Sequence, residues 1–222
     1  AARRPEPSPP GTRLPREAVE HTFQRYLDST AARFMGSTTW EAYTPYELRT
    51  VGTFVRLGRK ADAHRLLDWF FRDQRPQGWN HWAEVVWRNV REPRFIGDMP
   101  HTWVGSDYIR SVMDMFVYER EQDEALVVGA GIPAAWAREG SGVAIRNVPT
   151  YHGRLSYTVR ATETEATYEL SGDVAVPFGG IVIKSPLDEP IREALVDGRV
   201  AERNAEGDII VHAVPARLVI RH

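Results

Sequence analysis

The sequence predicts an α+β chain, with antiparallel helical hairpins first and an antiparallel β-sandwich-like domain after them. Three observations predict it. Apolar residues recur at three- and four-residue spacing through the first half, which is how helices with one buried face are written. After about residue 123 they alternate with polar residues in short runs, the period of half-buried strands. Glycine and proline punctuate both halves and keep the connections short.

Residues 1–13, "AARRPEPSPPGTR", are proline-rich and charged, with nothing apolar to bury, which predicts an extended, mobile lead-in. Ala1 stands first and the segment lacks the apolar core of a signal peptide, so the chain reads as processed or as cut from a longer one. Pro15 suits a first helical turn. Val19, Phe23, Tyr26, Leu27, Thr30 and Phe34 then predict a helix over 15–34. In "TPYE" (44–47), Thr44 can cap, Pro45 can take the first helical position and Glu47 can complete a capping box, starting a helix that ends near Gly58. Ala63, Leu66, Leu67 and Phe70 make the stripe of a third helix.

"RPQGW" (75–79) reads as a loop, and "HWAEVVWRNV" (81–90) as the start of a fourth helix. Asp98 and Pro100 then begin a helix whose buried stripe is Ile109, Val112, Met113 and Phe116, ending near Tyr118. In the second half "VAIRNV" (143–148), "GRLSYTVRAT" (153–162), "ATYELSG" (166–172) and "GGIVIKS" (179–185) are strands. Leu155, Tyr157 and Val159 share one face. "ALVDGR" (194–199) carries an Asp-Gly turn and "RLVIRH" (217–222) is a last strand. The expected division is therefore a lead-in (1–13), a helical domain (14–122) and a β domain (123–222).

Composition narrows the partners. Lys and Arg total 28 against 30 Asp and Glu, a net charge of −2, so no global field draws the chain to nucleic acid or an anionic membrane. There is no cysteine, which excludes disulfides and thiolate metal sites and fits both the cytosol and bacterial secretion. The longest apolar stretch (125–137) is broken by Gly129, Gly131 and Pro133 and falls short of the ~20 residues of a spanning helix. No phosphate-binding loop, G-x-S-x-G elbow or HExxH spacing is present, and no metal or cofactor is expected.

Six of the seven tryptophans fall between residues 40 and 103, and the polar candidates share that stretch. They gather in "TTWEAYTPYE" (38–47), "QGWNHWAEVVW" (77–87) and "GDMPHTW" (97–103), each at a predicted loop-to-helix junction. If the helices pack antiparallel, such loops can line one cleft. Tryptophan faces stack on the C–H faces of sugars, and glycosidic cleavage uses one carboxylic acid and one carboxylate. Glu41, Glu84 and Asp98 are the candidates, with His81, His101 and Trp103 beside them. Each has a plainer reading. Asp98 can cap a helix, Glu41 can be a solvated loop acid, Glu84 can lie on the polar side of a helix, and the histidines and tryptophans can serve structure.

"TTWEAY" followed by "WNHW" (79–82), a helical segment and a β-rich tail resembles the late part of six-hairpin glycosidases, with the α-L-rhamnosidase-like enzymes the nearest pattern. "GDMPHTWVGSDYI" resembles a segment of uncharacterised bacterial relatives in that superfamily. The resemblance covers the layout of residues 20–210. It implies a catalytic (α/α)6 barrel of which this chain holds the last hairpins, followed by the β-sandwich. It implies Glu41 as the base that activates water, with Trp40, Asn80, His81 and Trp82 near the sugar; Tyr43 and Trp79, in the same segments, are further substrate-binding candidates. Glu84 has no obvious counterpart there and stays the second candidate for the base. The implied activity is inverting glycoside hydrolysis; a non-catalytic carbohydrate-binding module is the alternative, and a helical interaction domain a third reading. A full barrel needs twelve helices and this chain offers about five. The general acid is thus expected upstream, and the open barrel face is expected to meet the missing part or to self-associate.

Overall fold

The computed structural model describes residues 14–94 and 96–222. The lead-in predicted for residues 1–13 lies outside them. The described residues form an α+β structure in two compact units, residues 14–43 with 87–94 and residues 44–86 with 96–222. This grouping does not divide the chain at residue 123.

The first unit is built on helix α1 (Arg16–Phe34). Pro15 precedes it in extended conformation and its carbonyl accepts from Val19 N. Leu27 and Thr30 are its buried positions, on the predicted stripe. Gly36, at φ +69°, ends it: Ser37 N donates to Ala32 O, the 6→1 bond of a left-handed cap. Strand β1 (Ala42–Tyr43) follows, and the Arg33 guanidinium sits over the Tyr43 ring.

The second unit opens with the predicted cap: Thr44 Oγ accepts from Tyr46 N, and Pro45 takes the first position. The first turn, Pro45–Leu48, is 3₁₀, and α2 (Arg49–Arg56) continues it. Gly58, at φ +76°, closes α2 with a 6→1 bond from Arg59 N to Phe54 O. Helix α3 (Lys60–Arg72) buries Ala63, Leu66, Leu67 and Phe70, as its spacing predicts.

Residues 81–90 correct the prediction: they form no helix, and β2 (Val86–Trp87) lies among them. Their backbone instead pairs with residues 96–101. His101 N donates to Trp82 O (2.8 Å), Glu84 N to Asp98 O (2.9 Å) and Gly97 N to Val85 O (2.7 Å), with an antiparallel bridge between Val86 and Ile96. The run has buried residues at 82, 83 and 86 and two adjacent β-branched valines. These suit a short extended ribbon once a partner is present.

Helix α4 (Thr102–Phe116) is also corrected in start and stripe. His101, not Asp98, occupies the cap position, and Pro100 lies outside the helix. The buried residues are Val104, Ser111, Asp114 and Met115, while Ile109 is 60% exposed. A small face turns inward because α4 packs on α2 at Gly52, and Arg56 reaches across to Asp114 at 2.8 Å. The chain then enters β3 (Val117–Arg120) directly, where a helix end near Tyr118 was expected.

The remaining strands are β4 (Ala125–Val128), β5 (Val143–Thr150), β6 (Gly153–Ala161), β7 (Glu165–Gly172), β8 (Ile181–Ile183), β9 (Glu193–Val196), β10 (Arg199–Val200), β11 (Glu202–Arg203), β12 (Ile209–Val211) and β13 (Ala216–Arg221). A short helix α5 (Ala134–Arg138) follows β4. They make a six-stranded sheet in the order β10-β9-β13-β7-β6-β5 and a five-stranded sheet in the order β11-β12-β8-β4-β3. The first is antiparallel throughout; β4 and β8 in the second run parallel, a departure from the all-antiparallel prediction. Both sheets contribute to one buried core that includes Leu126, Val128, Leu155, Tyr157, Val159, Tyr168, Ile181 and Leu218. Asp197 and Gly198, both with positive φ, form the predicted turn between β9 and β10.

Candidate functional site

The ribbon fixes where two of the three motif segments meet. Residues 82–86 and 96–101 are held edge to edge, so Glu84 and Asp98 are carried by paired strands of one short ribbon. Thr44 joins the third segment to them: its hydroxyl donates to Glu84 O at 2.7 Å. Two residues on, Tyr46 turns its phenol to His101, with Oη 2.6 Å from Nε2. His101 Nδ1 lies 2.9 Å from Asp98 Oδ2. The three side chains form a linear series, carboxylate to imidazole to phenol.

The tautomer follows from the partners. A carboxylate only accepts, so Nδ1 carries a proton and donates to Asp98. With His101 neutral, Tyr46 donates its phenolic proton to Nε2; with His101 charged, Nε2–H donates to Tyr46 Oη instead. Asp98 keeps 72% of its side chain exposed and His101 only 17%, so the imidazole is reached mainly through its two partners.

Around Tyr46 stand groups from three elements. Arg49, on α2, lies over the phenol ring at 5.0 Å, donates from Nε to Tyr46 O and pairs with Asp107 of α4 at 2.7 Å. Trp103, in the first turn of α4, meets Tyr46 edge-on at 5.9 Å and is 67% exposed. Burial, then the carboxylates of Glu84 and Asp107, raise the Tyr46 pKa above that of a free phenol, with Arg49 opposing. Among the described residues the Glu84 carboxylate receives no hydrogen bond or ion pair. The cluster thus offers a relayed phenol, an unpartnered carboxylate and an open indole face.

The other predicted site residues fall elsewhere. Glu41, Trp40 and Tyr43 belong to the first unit; Glu41 O accepts from Arg88 N, and Trp40 packs edge-on to the buried Tyr43. Trp79, Asn80 and His81 are exposed on the approach to the ribbon, Asn80 with φ +55°. Among the described residues no hydrogen bond or ring contact joins these three to Tyr46, His101 or Asp98. Trp82 is 8% exposed and packs with Phe71 and Tyr108, which makes it part of the unit's interior. Asp98, read as a helix cap or a sugar ligand, holds His101.

Sequence reasoning missed Tyr46, Arg49 and Asp107. Tyr46 and Arg49 sit at a three-residue spacing just inside the Thr-Pro start, a spacing that places them together on the first turn. Among the described residues no group of three His, Asp or Glu is placed to hold a metal ion, and no helix is long and apolar enough to cross a membrane. Comparison of the chain with protein-family models, with curated proteins and with solved structures finds no match.

Proposed function

We propose that this chain is the C-terminal portion of a glycoside hydrolase and that sugar binds at the Tyr46–His101–Trp103 cluster. The observation that carries the reading is the exposed Trp103 ring beside Tyr46, with the unpartnered Glu84 carboxylate among the charges acting on that phenol. A flat apolar face next to hydroxyl-binding groups suits a sugar ring, and a carboxylate without a partner is free to take a proton from water. Glu84 is therefore preferred to Glu41 as the base. The helices of the first half are read as the last hairpins of an (α/α)6 barrel, completed by another part of the same enzyme or by self-association.

Glu84→Gln in the enzyme as its host makes it tests the assignment. Turnover is expected to fall at least ~100-fold, with sugar binding retained, as read by quenching of tryptophan fluorescence. Unchanged turnover would remove Glu84 from the reaction. The second reading is a carbohydrate-binding module without catalysis, favoured by the open faces of Trp79 and Trp103 alike. It predicts that neutral glycosides quench the fluorescence while no glycosidic bond is cleaved.

A further inference from the structure

We infer that Tyr46 is the general acid of this site, resupplied with its proton through His101, and that Asp98 orients the His101 ring for that transfer. The inference rests on the glycosidase reading and goes past it, because it places the proton donor inside this chain and makes it a phenol, where a second carboxylate from upstream was expected.

The geometry sets the route. Asp98 Oδ2, His101 and Tyr46 Oη are linked by contacts of 2.9 and 2.6 Å. When His101 is charged, Nδ1–H donates to Asp98 and Nε2–H donates to Tyr46 Oη. The phenol's own proton is then free for a third atom, and Trp103 marks the side from which a sugar would present one.

The surrounding charges set the direction. The carboxylates of Glu84, Asp107 and Asp98 act on the Tyr46 phenol against Arg49 of α2, and that guanidinium is already bonded to Asp107. A phenolate formed in advance would stand in a negative field, which disfavours Tyr46 as the base. His101, its Nδ1–H bonded to Asp98, presents Nε2 to the phenol oxygen, so the relay runs from imidazole to phenol.

In the step itself the phenolic proton passes to the glycosidic oxygen as the bond from that oxygen to the anomeric carbon breaks. The Nε2 proton passes to the phenol oxygen, which leaves His101 neutral. Water bonds to the anomeric carbon and its proton goes to Glu84. One water is consumed, and exchange with solvent returns a proton from Glu84 to His101.

An acid catalyst matters only when the leaving group is poor, and that gives the test. The enzyme as its host makes it is assayed on 2,4-dinitrophenyl and methyl glycosides of glucose, galactose, mannose and rhamnose. For Tyr46→Phe, kcat/KM on the methyl glycoside is expected to fall ~10²–10⁴-fold, while the dinitrophenyl glycoside, which leaves unaided, is hydrolysed at nearly the wild-type rate. Equal losses on both overturn Tyr46 as the acid and leave the glycosidase reading standing. No hydrolysis of either by the wild type overturns that reading and this inference with it. His101→Gln is the second variant. It is expected to show the same split between the two glycosides, and equal losses on both, or a loss on neither, overturn the relay.

Discussion

Gly52 on α2 lies so close to Ser111 on α4 that a Cβ on Gly52 would stand 3.3 Å from the Ser111 Cα and 2.9 Å from Asp114 Oδ2. The first neighbour is backbone and the second is an oxygen held by Arg56, so neither gives way cheaply. Gly52→Ala is expected to cost about 1–3 kcal/mol through overpacking, read as a lower denaturation midpoint at unchanged m-value.

The Arg56–Asp114 pair beneath that crossing is held by two hydrogen bonds, at 2.8 and 2.9 Å, and the Arg56 guanidinium also covers the Tyr118 ring. Asp114→Ala leaves the guanidinium without its counter-charge. Breaking a fully buried pair costs about 3–5 kcal/mol, but Arg56 keeps 38% of its side chain in solvent, so about 2 kcal/mol is expected by urea denaturation.

Tyr157 and Tyr168 sit in the core shared by the two sheets, with their hydroxyls donating to Phe116 O and Lys184 O. Burial raises both phenol pKa values well above 10. The folded state therefore holds these protons more tightly than the unfolded chain. Their contribution is complete below the unfolded phenol value of about 10 and is lost as pH rises above it towards the folded values. Stability should fall steeply above pH ~10. Tyr168→Phe should flatten that fall, at a cost near neutrality of about 1–2 kcal/mol for the carbonyl left without its donor.

Trp103 lies mostly in solvent, so Trp103→Ala should change stability by less than about 0.5 kcal/mol. Sugar binding should weaken about tenfold, the effect of losing ~1.4 kcal/mol of ring contact. Isothermal titration with neutral glycosides reads the second effect and thermal denaturation the first. Loss of both together would mean that Trp103 supports the fold.

Ile109 is a large apolar side chain on the outer side of α4. The barrel reading proposed above expects the isolated chain to self-associate through exposed apolar surface, and Ile109→Lys should shift sedimentation towards the monomer without unfolding it.

What could be read from the sequence follows the range of the interactions. The α3 stripe and the Leu155–Tyr157–Val159 alternation were legible because each side chain's fate is set by a pattern within its own element. The ribbon was not. Its hydrogen bonds go to residues about fifteen positions away, and "AEVV" alone does not distinguish a helix start from a strand waiting for a partner. The α4 stripe failed for a related reason: Ser111 and Asp114 face inward because Gly52 and Arg56 lie opposite, and neither is visible from α4's own sequence. At the site, Asp98, His101, Trp103 and Glu84 were named from their residue types. Tyr46 was hidden because "TPYE" already had a full explanation as a helix start, and only the fold shows its phenol meeting an imidazole 55 residues away.

Strand β13 lies inside the six-stranded sheet, between β7 and β9. During synthesis β5, β6 and β7 leave the ribosome as a meander whose outer edge is unpaired. The strand that covers β7 follows only after the 43 intervening residues, 173–215. At ~5–20 residues per second that edge stays open for roughly 2–9 s, long enough to pair with another nascent chain. Yield in the host should therefore depend on chaperones that shield strand edges, and slowing translation across 173–215 should lower it without altering one contact of the finished protein.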